Sequence, residues 1–397
     1  MMSDPYAGLT PGMFNVTANE RIIFGRPAEQ AVLEEAERYG ANRLFITSTR
    51  SLAQKENGPL QRLEKALGAK HAGTYAAISS HSPREDVVAA ANAARAAGAD
   101  LLVAVGGGSV IDATKAAQLC LWVGLDSPQE MEPYCVGFER TKYSAVVPPA
   151  NAIRMIAVST TLSASEFTEN AGITDSTTHT KQSFKHRLFA PRSIVLDPAA
   201  TLDTPEWLLL CTAIRSVDHA AEGFCNERAS PATEASSLQG LRLLSRALPA
   251  VREAPNDLAP RLQAQLGMWQ AIAPLASGVA TGASHGIGYA LGATFNVAHG
   301  HTSCVMLPAV LKWNSAMNGE RQKALSATMG APDRPAWERI KELIAGLDLP
   351  VSLRAVGIKR EDLPEIARRS LAYHPVKVNP RPIRTEQDVR EILELAW

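Results

Sequence analysis

The chain has 397 residues, 46% hydrophobic and 20% charged, with 40 Lys+Arg against 40 Asp+Glu. This is ordinary soluble globular composition, with length enough for two domains that each bury a core. The balanced charge gives nucleic acid or an anionic membrane surface no particular hold. No apolar run reaches the roughly 18 residues that span a bilayer. The first residues, MMSDPYAGLTPGMF, have neither the basic nor the apolar region of a signal peptide. The five cysteines (Cys120, Cys135, Cys211, Cys225, Cys304) are scattered and odd in number. They fit a reduced, cytoplasmic protein, not a disulfide framework or a zinc cluster.

In chain order, residues 21–26 (RIIFGR) read as a strand and turn, followed by a helix over 27–39 that Pro27 opens and Gly40 stops. Residues 44–47 are a buried strand, 59–67 a helix and 74–78 a weak strand. A strong helix follows over 83–97 and an all-apolar strand over 101–105. Such alternation predicts a parallel sheet with helices on both faces. Next comes GGGSVIDATK, residues 106–115, opening a helix. Glycines directly after a buried strand let backbone N–H groups approach a phosphate, and the helix N-terminus adds partial positive charge. A tight strand-to-helix turn without a ligand is the plainer reading. The pattern is not GxGxxG, so an ordinary Rossmann domain does not follow.

Residues 126–151 read as a long loop, and 155–158 as a strand leading into STTLSASEFT. Those hydroxyls suit either a cofactor or the loop's own backbone. Strands over 171–174 and 193–196 flank a polar excursion that contains Lys181. From 204 onward the texture is helical, over 205–224, 232–253, 258–289, 303–318, 336–345, 360–372 and 386–396. The expectation is an α/β domain over 1–199 and an all-α domain over 200–397.

Two helical stretches concentrate the chemistry. In TAIRSVDHAAEGF, Arg215 and His219 are four apart and share a helix face; in SHGIGYALGATFNVAHGH, His285 and Tyr289 do the same, with His299 and His301 beyond. Paired polar groups on apolar helices build buried metal or catalytic centres. A divalent ion would call for a carboxylate beside these histidines, and the chain offers an arginine.

These segments together resemble the iron-containing alcohol dehydrogenase family, and more closely its maleylacetate reductase branch. The resemblance runs from IIFG through GGGSVIDATK, STTLSASE, IVLDP, HAAEG and SHGIGYALGATFNVAHGH to NPRPIRTEQDVREILELAW. It implies the dehydroquinate synthase-like fold, with an N-terminal dinucleotide-binding α/β domain, a C-terminal helical domain and the active site between them. It implies pyrophosphate binding by Gly106, Gly107, Gly108 and Ser109, with Asp112 one turn on. Thr160, Thr161, Ser165 and Lys181 fall at cofactor positions. Ser48 falls where NAD-preferring members tend to carry an aspartate; with Arg50 nearby it tilts the expectation toward NADPH, NADH remaining possible. The family's four metal-ligand places hold Arg215, His219, His285 and His299, and Tyr289 replaces a histidine used near the substrate. A guanidinium has no free lone pair for a cation. Asp218, one residue before His219, points about 100° away and is not expected to replace the lost carboxylate.

No metal is therefore expected, and Arg215, His219, His285, Tyr289 and His299 form the expected catalytic set. Arg215 would hold developing negative charge or a substrate carboxylate, and Tyr289 or His285 would deliver a proton. The expected activity is NAD(P)H-dependent reduction of a carbonyl or other polarised double bond in a small molecule, a maleylacetate-like oxo acid or a relative. Imine reduction and a non-catalytic nucleotide-binding protein with a decayed site are the alternatives. The family commonly forms dimers, so a homodimer is expected. Plainer roles are an Arg215 paired structurally with Glu222 or Asp218, a Tyr289 that only packs, a surface His301, and three histidines that still collect a metal.

Overall fold

The computed structural model describes residues 13–137, 146–178 and 180–397. Among these the strands are β1 (Arg21–Phe24), β2 (Leu44–Thr47), β3 (His71–Tyr75), β4 (Leu101–Gly106), β5 (Arg154–Ser159), β6 (Asn170–Asp175), β7 (Thr180–Lys185) and β8 (Ser193–Leu196). The first-half helices are α1 (Ala28–Tyr39), α2 (Arg50–Ala53), α3 (Pro59–Leu67), α4 (Arg84–Ala96) and α5 (Gly108–Val123). Strand β4 shows why this half folds as it does. Leu101, Val103 and Val105 join one core with α1 and α3, while Leu102 and Ala104 join a second with α4 and α5. A strand covered on both faces has no polar side, which is why it reads as a continuous apolar run.

Six strands pair in parallel in the order β1-β8-β5-β4-β2-β3. From β2 the chain crosses to β3 on one side; from β4 it crosses to β5 on the other. The crevice beyond the carboxyl ends of β2 and β4 is therefore a topological switch point, where open α/β sheets take their ligands. Gly106 ends β4 at this crevice. After β8 come the helices α6 (Glu206–Cys225), α7 (Pro231–Glu253), α8 (Leu258–Ala276), α9 (Ala283–Phe295), α10 (His299–Thr328), α11 (Ala336–Gly346), α12 (Leu363–Ser370), α13 (His374–Lys377) and α14 (Glu386–Leu395). None of the described helices is long and apolar enough to cross a membrane.

Several elements depart from the sequence reading. The polar excursion around Lys181 is an antiparallel hairpin, β6–β7; only Phe184 of β7 is buried, so no apolar alternation announces the strand. The single helix expected over 258–289 is two, α8 and α9, interrupted where Gly278 takes a φ of 105° and Gly282 caps α9. The helix expected from 303 already begins at His299. The loop expected over 126–151 contains a 3-10 turn, Pro128–Tyr134, and lies partly outside the described residues.

A buried lysine ties the glycine-turn helix to the hairpin. Lys115, fully buried on α5, donates to the carbonyls of Ser165 (2.6 Å) and Asn170 (2.8 Å) and to the Thr168 hydroxyl (3.2 Å). Burial pushes its ammonium pKa down to about 8, partly offset by Asp112 and Glu166. Replacing it strands several buried acceptors at once. Lys115→Met is expected to cost about 3 kcal/mol of stability, read as a lower urea midpoint with unchanged m-value; an unchanged midpoint would contradict this account.

Candidate active site

On α6 the residues Arg215, Asp218, His219 and Glu222 stand at i, i+3, i+4 and i+7, one continuous stripe of the helix. Asp218, His219 and Glu222 are buried and Arg215 half-buried. The stripe faces the break between α8 and α9. There Glu222 meets the first turn of α9, its Oε2 accepting from Gly282 N and its Oε1 from Ser284 N, both at 2.7 Å. A carboxylate is favoured at a helix N-terminus, where backbone N–H groups lack intrahelical partners. His285 Nδ1 also lies 2.7 Å from Glu222 Oε2.

Two backbone N–H groups already converge on this carboxylate and favour its ionised form against the burial that opposes it, and an ionised carboxylate only accepts, which places the His285 proton on Nδ1. The Nε2 atom is left as a buried lone pair with no protein partner. Burial lowers the His285 pKa and Arg215 lowers it further, with Asp218 opposing, so the ring is neutral at pH 7.

Asp218 Oδ2 accepts the hydroxyls of Ser284 and Ser303, each at 2.7 Å, and sits 3.4 Å from His285 Nδ1. Arg215 does not pair directly with either carboxylate among the described residues. Its Nη1 donates to Ser303 Oγ at 3.1 Å, so a serine hydroxyl links the guanidinium to Asp218. Burial raises the Asp218 carboxyl to about 6 and that of Glu222 to about 7.

The other expected catalytic residues gather around this frame. The His219 and His285 rings lie 4.8 Å apart. Burial, then the charges of His285 and Arg215, holds the His219 pKa well below its ordinary value. Tyr289 stands one turn beyond His285, with the Arg215 Cζ 5.7 Å from its ring centre. Burial raises the phenol pKa, opposed by the charge of Arg215 and a hydrogen bond from it. His299 Nε2 lies 3.1 Å from Lys181 Nζ. Lys181 reaches this point across Gly172, where any Cβ would overlap its Cε. Lys181 remains solvent-accessible, so it lines a cleft. His301 turns away and rests against Trp207 at 5.7 Å.

At the switch point Gly107 caps α5 in extended geometry. A Cβ on Gly106 would meet Val110 Cγ2 at 2.5 Å, one on Gly107 would meet Thr161 Cγ2 at 2.7 Å, and one on Gly108 would meet Ser163 Oγ at 3.0 Å. The first two glycines are thus required by the protein's own packing, whatever binds there. Ser109 Oγ accepts from His81 N at 3.1 Å. Thr160 is buried, its N–H bonded to Gly106 O and its carbonyl to Thr204 Oγ1. Asp112 is engaged with Ser165 Oγ and, at 3.0 Å, Gly172 N. Asp112 thus braces the hairpin against the helix that follows the turn. Ser48 is a correction. It is fully buried and its hydroxyl donates to Val105 O at 2.8 Å, so it is not available to a ribose. Arg50 nearby is exposed.

Sequence reasoning missed Glu222, Ser284, Ser303 and His81 as site residues, and it discounted Asp218 by measuring its angle from His219 alone. Measured from Arg215, Asp218 and Glu222 complete the i, i+3, i+4, i+7 stripe. Asp218, Glu222 and His285 bring ligand atoms within 4.8 Å of one another; Glu222, His285 Nδ1 and Asp218 Oδ2 are engaged in the bonds above, while Asp218 Oδ1 and His285 Nε2 have no partner among the described residues.

A parallel-sheet domain carrying a glycine turn, set against a helical domain with this cluster, defines a dehydrogenase-type oxidoreductase. The chain belongs to the iron-containing alcohol dehydrogenase family: that family's N-terminal model matches residues 19–198 and its C-terminal model residues 210–397. It is similar to the dehydrogenase ALT3 of Alternaria alternata, with 34% identity over 90% of this chain and 100% of that protein. It is similar to the maleylacetate reductase of Burkholderia cepacia, at 28% identity over 95% of each. The crystal structure of maleylacetate reductase from a Rhizobium species superposes with a TM-score of 0.81 at 28% identity, covering 98% of this chain and 99% of that one. The expected fold and the expected family near the maleylacetate reductase branch are thus correct, and the chain is an NAD(P)H-dependent oxidoreductase of this family.

Because Gly108 faces only a rotatable serine hydroxyl, it separates ligand approach from packing. Gly108→Ala is expected to keep its melting temperature while weakening NADPH binding roughly tenfold, the cost of one lost contact to a charged group. Gly107→Ala, pressed on Thr161, is expected to lose stability as well. Calorimetric titration and thermal melts on both variants check this, and normal NADPH affinity in Gly108→Ala would remove the phosphate turn.

Proposed function

We propose that the chain is a metal-independent, NADPH-preferring reductase of the carbonyl group of oxo acids, with Arg215 as the group that stabilises the developing alkoxide. The observation that carries this reading is the guanidinium standing on the histidine face of α6, joined through Ser303 to a buried carboxylate. Iron, which the family's name implies, does not fit these residues. Where a fourth ligand would be needed the chain has a cation without a lone pair, and the nearby carboxylates are occupied by backbone N–H and serine O–H donors.

The dinucleotide does fit. The turn 106–109 at the switch point and the first turn of α5 would hold the pyrophosphate. The exposed Arg50, with no acid at the end of β2, favours a 2′-phosphate. When bound, the reduced nicotinamide supplies the hydride for the carbonyl carbon. As charge develops on the carbonyl oxygen, Arg215 offers fixed N–H donors in a site with little water, where such donors act most strongly.

The proton comes from Tyr289. A neutral His285 has its one ring proton directed at Glu222 and presents only a lone pair, so it accepts and does not donate. Tyr289 keeps its proton through burial, and Arg215 beside it stabilises the phenolate left after transfer. Tyr289 then regains a proton from solvent. The similarity to maleylacetate reductases supports an oxo acid as substrate.

The test is NADPH oxidation with maleylacetate, a panel of 2-oxo and 4-oxo acids, and neutral aldehydes. Wild type is expected to turn over an oxo acid, to prefer NADPH to NADH, and to keep full activity after chelation without stoichiometric iron or zinc. One metal per chain with activity lost on chelation would reverse the metal claim. Arg215→Ala is expected to lower kcat about 10²–10³-fold with NADPH affinity little changed, and Arg215→Lys to recover little, since ammonium lacks the planar fork. Normal turnover in a merely destabilised Arg215→Ala protein would assign the arginine to structure.

A further inference from the structure

His81 lies outside the motifs that define the site, yet the fold holds it there under constraint. It and Ser82 are consecutive non-glycine residues with positive φ, 66° and 52°. Each is a strained conformation that persists only where surrounding contacts impose it.

Four hydrogen bonds do so. His81 N donates to Ser109 Oγ (3.1 Å) and Ser82 Oγ to Ser109 O (2.8 Å), which fixes the loop to the glycine turn. Thr174 Oγ1 donates to His81 O (2.8 Å) and Thr174 N to Ser82 O (3.0 Å), which fixes it to the hairpin. Thr174 is the direct cross-strand partner of Lys181. One rigid unit of the nucleotide-binding half therefore carries both His81 and Lys181.

That unit meets the helical half at His299. The His81 ring stands edge-on to the His299 ring, 5.6 Å between centres and 88° between planes, and Lys181 Nζ reaches His299 Nε2. His81 is half-buried, and no described residue bonds its ring nitrogens. Burial and the neighbouring Lys181 lower its pKa, so the ring is a neutral donor and acceptor beside an ammonium. Asp218 and Glu222 are turned to serines, backbone and His285, and Asp112, the carboxylate whose charge acts on Lys181, is bonded to Ser165 Oγ and Gly172 N, so Lys181 Nζ is left with its contact to His299.

We propose that His81 is a substrate-binding residue: together with Lys181 it receives a carboxylate of the substrate beside His299. This names a binding group for the oxo acid inferred above and rests on that reading of the cleft. The strain at 81–82 is then the means by which the ring is brought to the substrate from the half that binds the nucleotide.

The test uses the full-length enzyme saturated with NADP⁺ and succinate, a carboxylate that cannot be reduced, as the probe. His81→Phe keeps an aromatic edge against His299 and removes both ring nitrogens. It is expected to weaken succinate binding about five- to tenfold without changing NADP⁺ affinity or melting temperature. His81→Asn, which tolerates positive φ and can donate a hydrogen bond, is expected to recover part of the loss and guards against a folding defect in the first variant. Equal succinate affinity in wild type and His81→Phe overturns the proposal, as does a wild type that does not bind succinate. Succinate binding that depends on His81 in an enzyme whose Arg215→Ala variant turns over normally would remove the arginine's role and leave this one standing.

Discussion

The structure of the site depends on one carboxylate in one place. Glu222 takes the N–H groups of Gly282 and Ser284 at the start of α9 and the Nδ1–H of His285 just beyond. A helix entering the interior leaves its first N–H groups unpaired, at a cost comparable to lost hydrogen bonds. Satisfying them with an anion uses the same charge to orient an imidazole. Cap and catalytic frame are thus one interaction, and the break between α8 and α9 exists where it does because the carboxylate on α6 meets it there. Gly282 is needed at that point because a Cβ would press on Glu222 Oε1 at 2.9 Å.

Charge explains the rest of the cluster. Two buried carboxylates need compensation. It comes from Arg215 through Ser303 and from convergent N–H and O–H donors, not from a direct ion pair. The guanidinium is thereby held by a neutral hydroxyl and keeps donors for another acceptor. On the other wall, Lys181 faces His299 and makes no ion pair within contact distance among the described residues, Asp112 acting on it from farther off. The cleft therefore presents cations and neutral rings, an environment suited to an anion.

Much of this was legible in the sequence. The continuous apolar run of β4, the glycines after it and the loss of strands beyond residue 204 give the order of an α/β half followed by a helical half directly. The i, i+4 spacings of Arg215 with His219 and of His285 with Tyr289 give the centre. What was not legible depends on contacts between distant segments. Ser48 reads as a cofactor residue by position, but whether its hydroxyl is free is decided by the Val105 carbonyl on a neighbouring strand. His81 is an isolated histidine in a polar loop, and only the pairing of that loop with Ser109 and Thr174 gives it a role. Strand β7 has no apolar alternation because one face of the hairpin lies open. The helix break at 277–282 is marked by Gly278 and Gly282, residues that a helix interior tolerates at about 1 kcal/mol each, so they do not by themselves announce it.

Glycines set how closely the helices of one wall of the cleft approach one another. At Gly300 a single added carbon would lie 2.5 Å from Cys211 Sγ and 2.6 Å from the backbone of α6, and at Gly288 one would lie 2.9 Å from the Thr302 hydroxyl. The bare backbone of α10 therefore lies directly on that of α6 at Gly300, and α9 closes on α10 over one threonine side chain at Gly288. A framework of that kind is indifferent to what it encloses. Exchange of the residue at 215 alters the charge, the donors and the reaction the cavity can support without asking any helix to move. Chemistry in such a scaffold can be replaced one position at a time, while the glycines keep the vessel the same size.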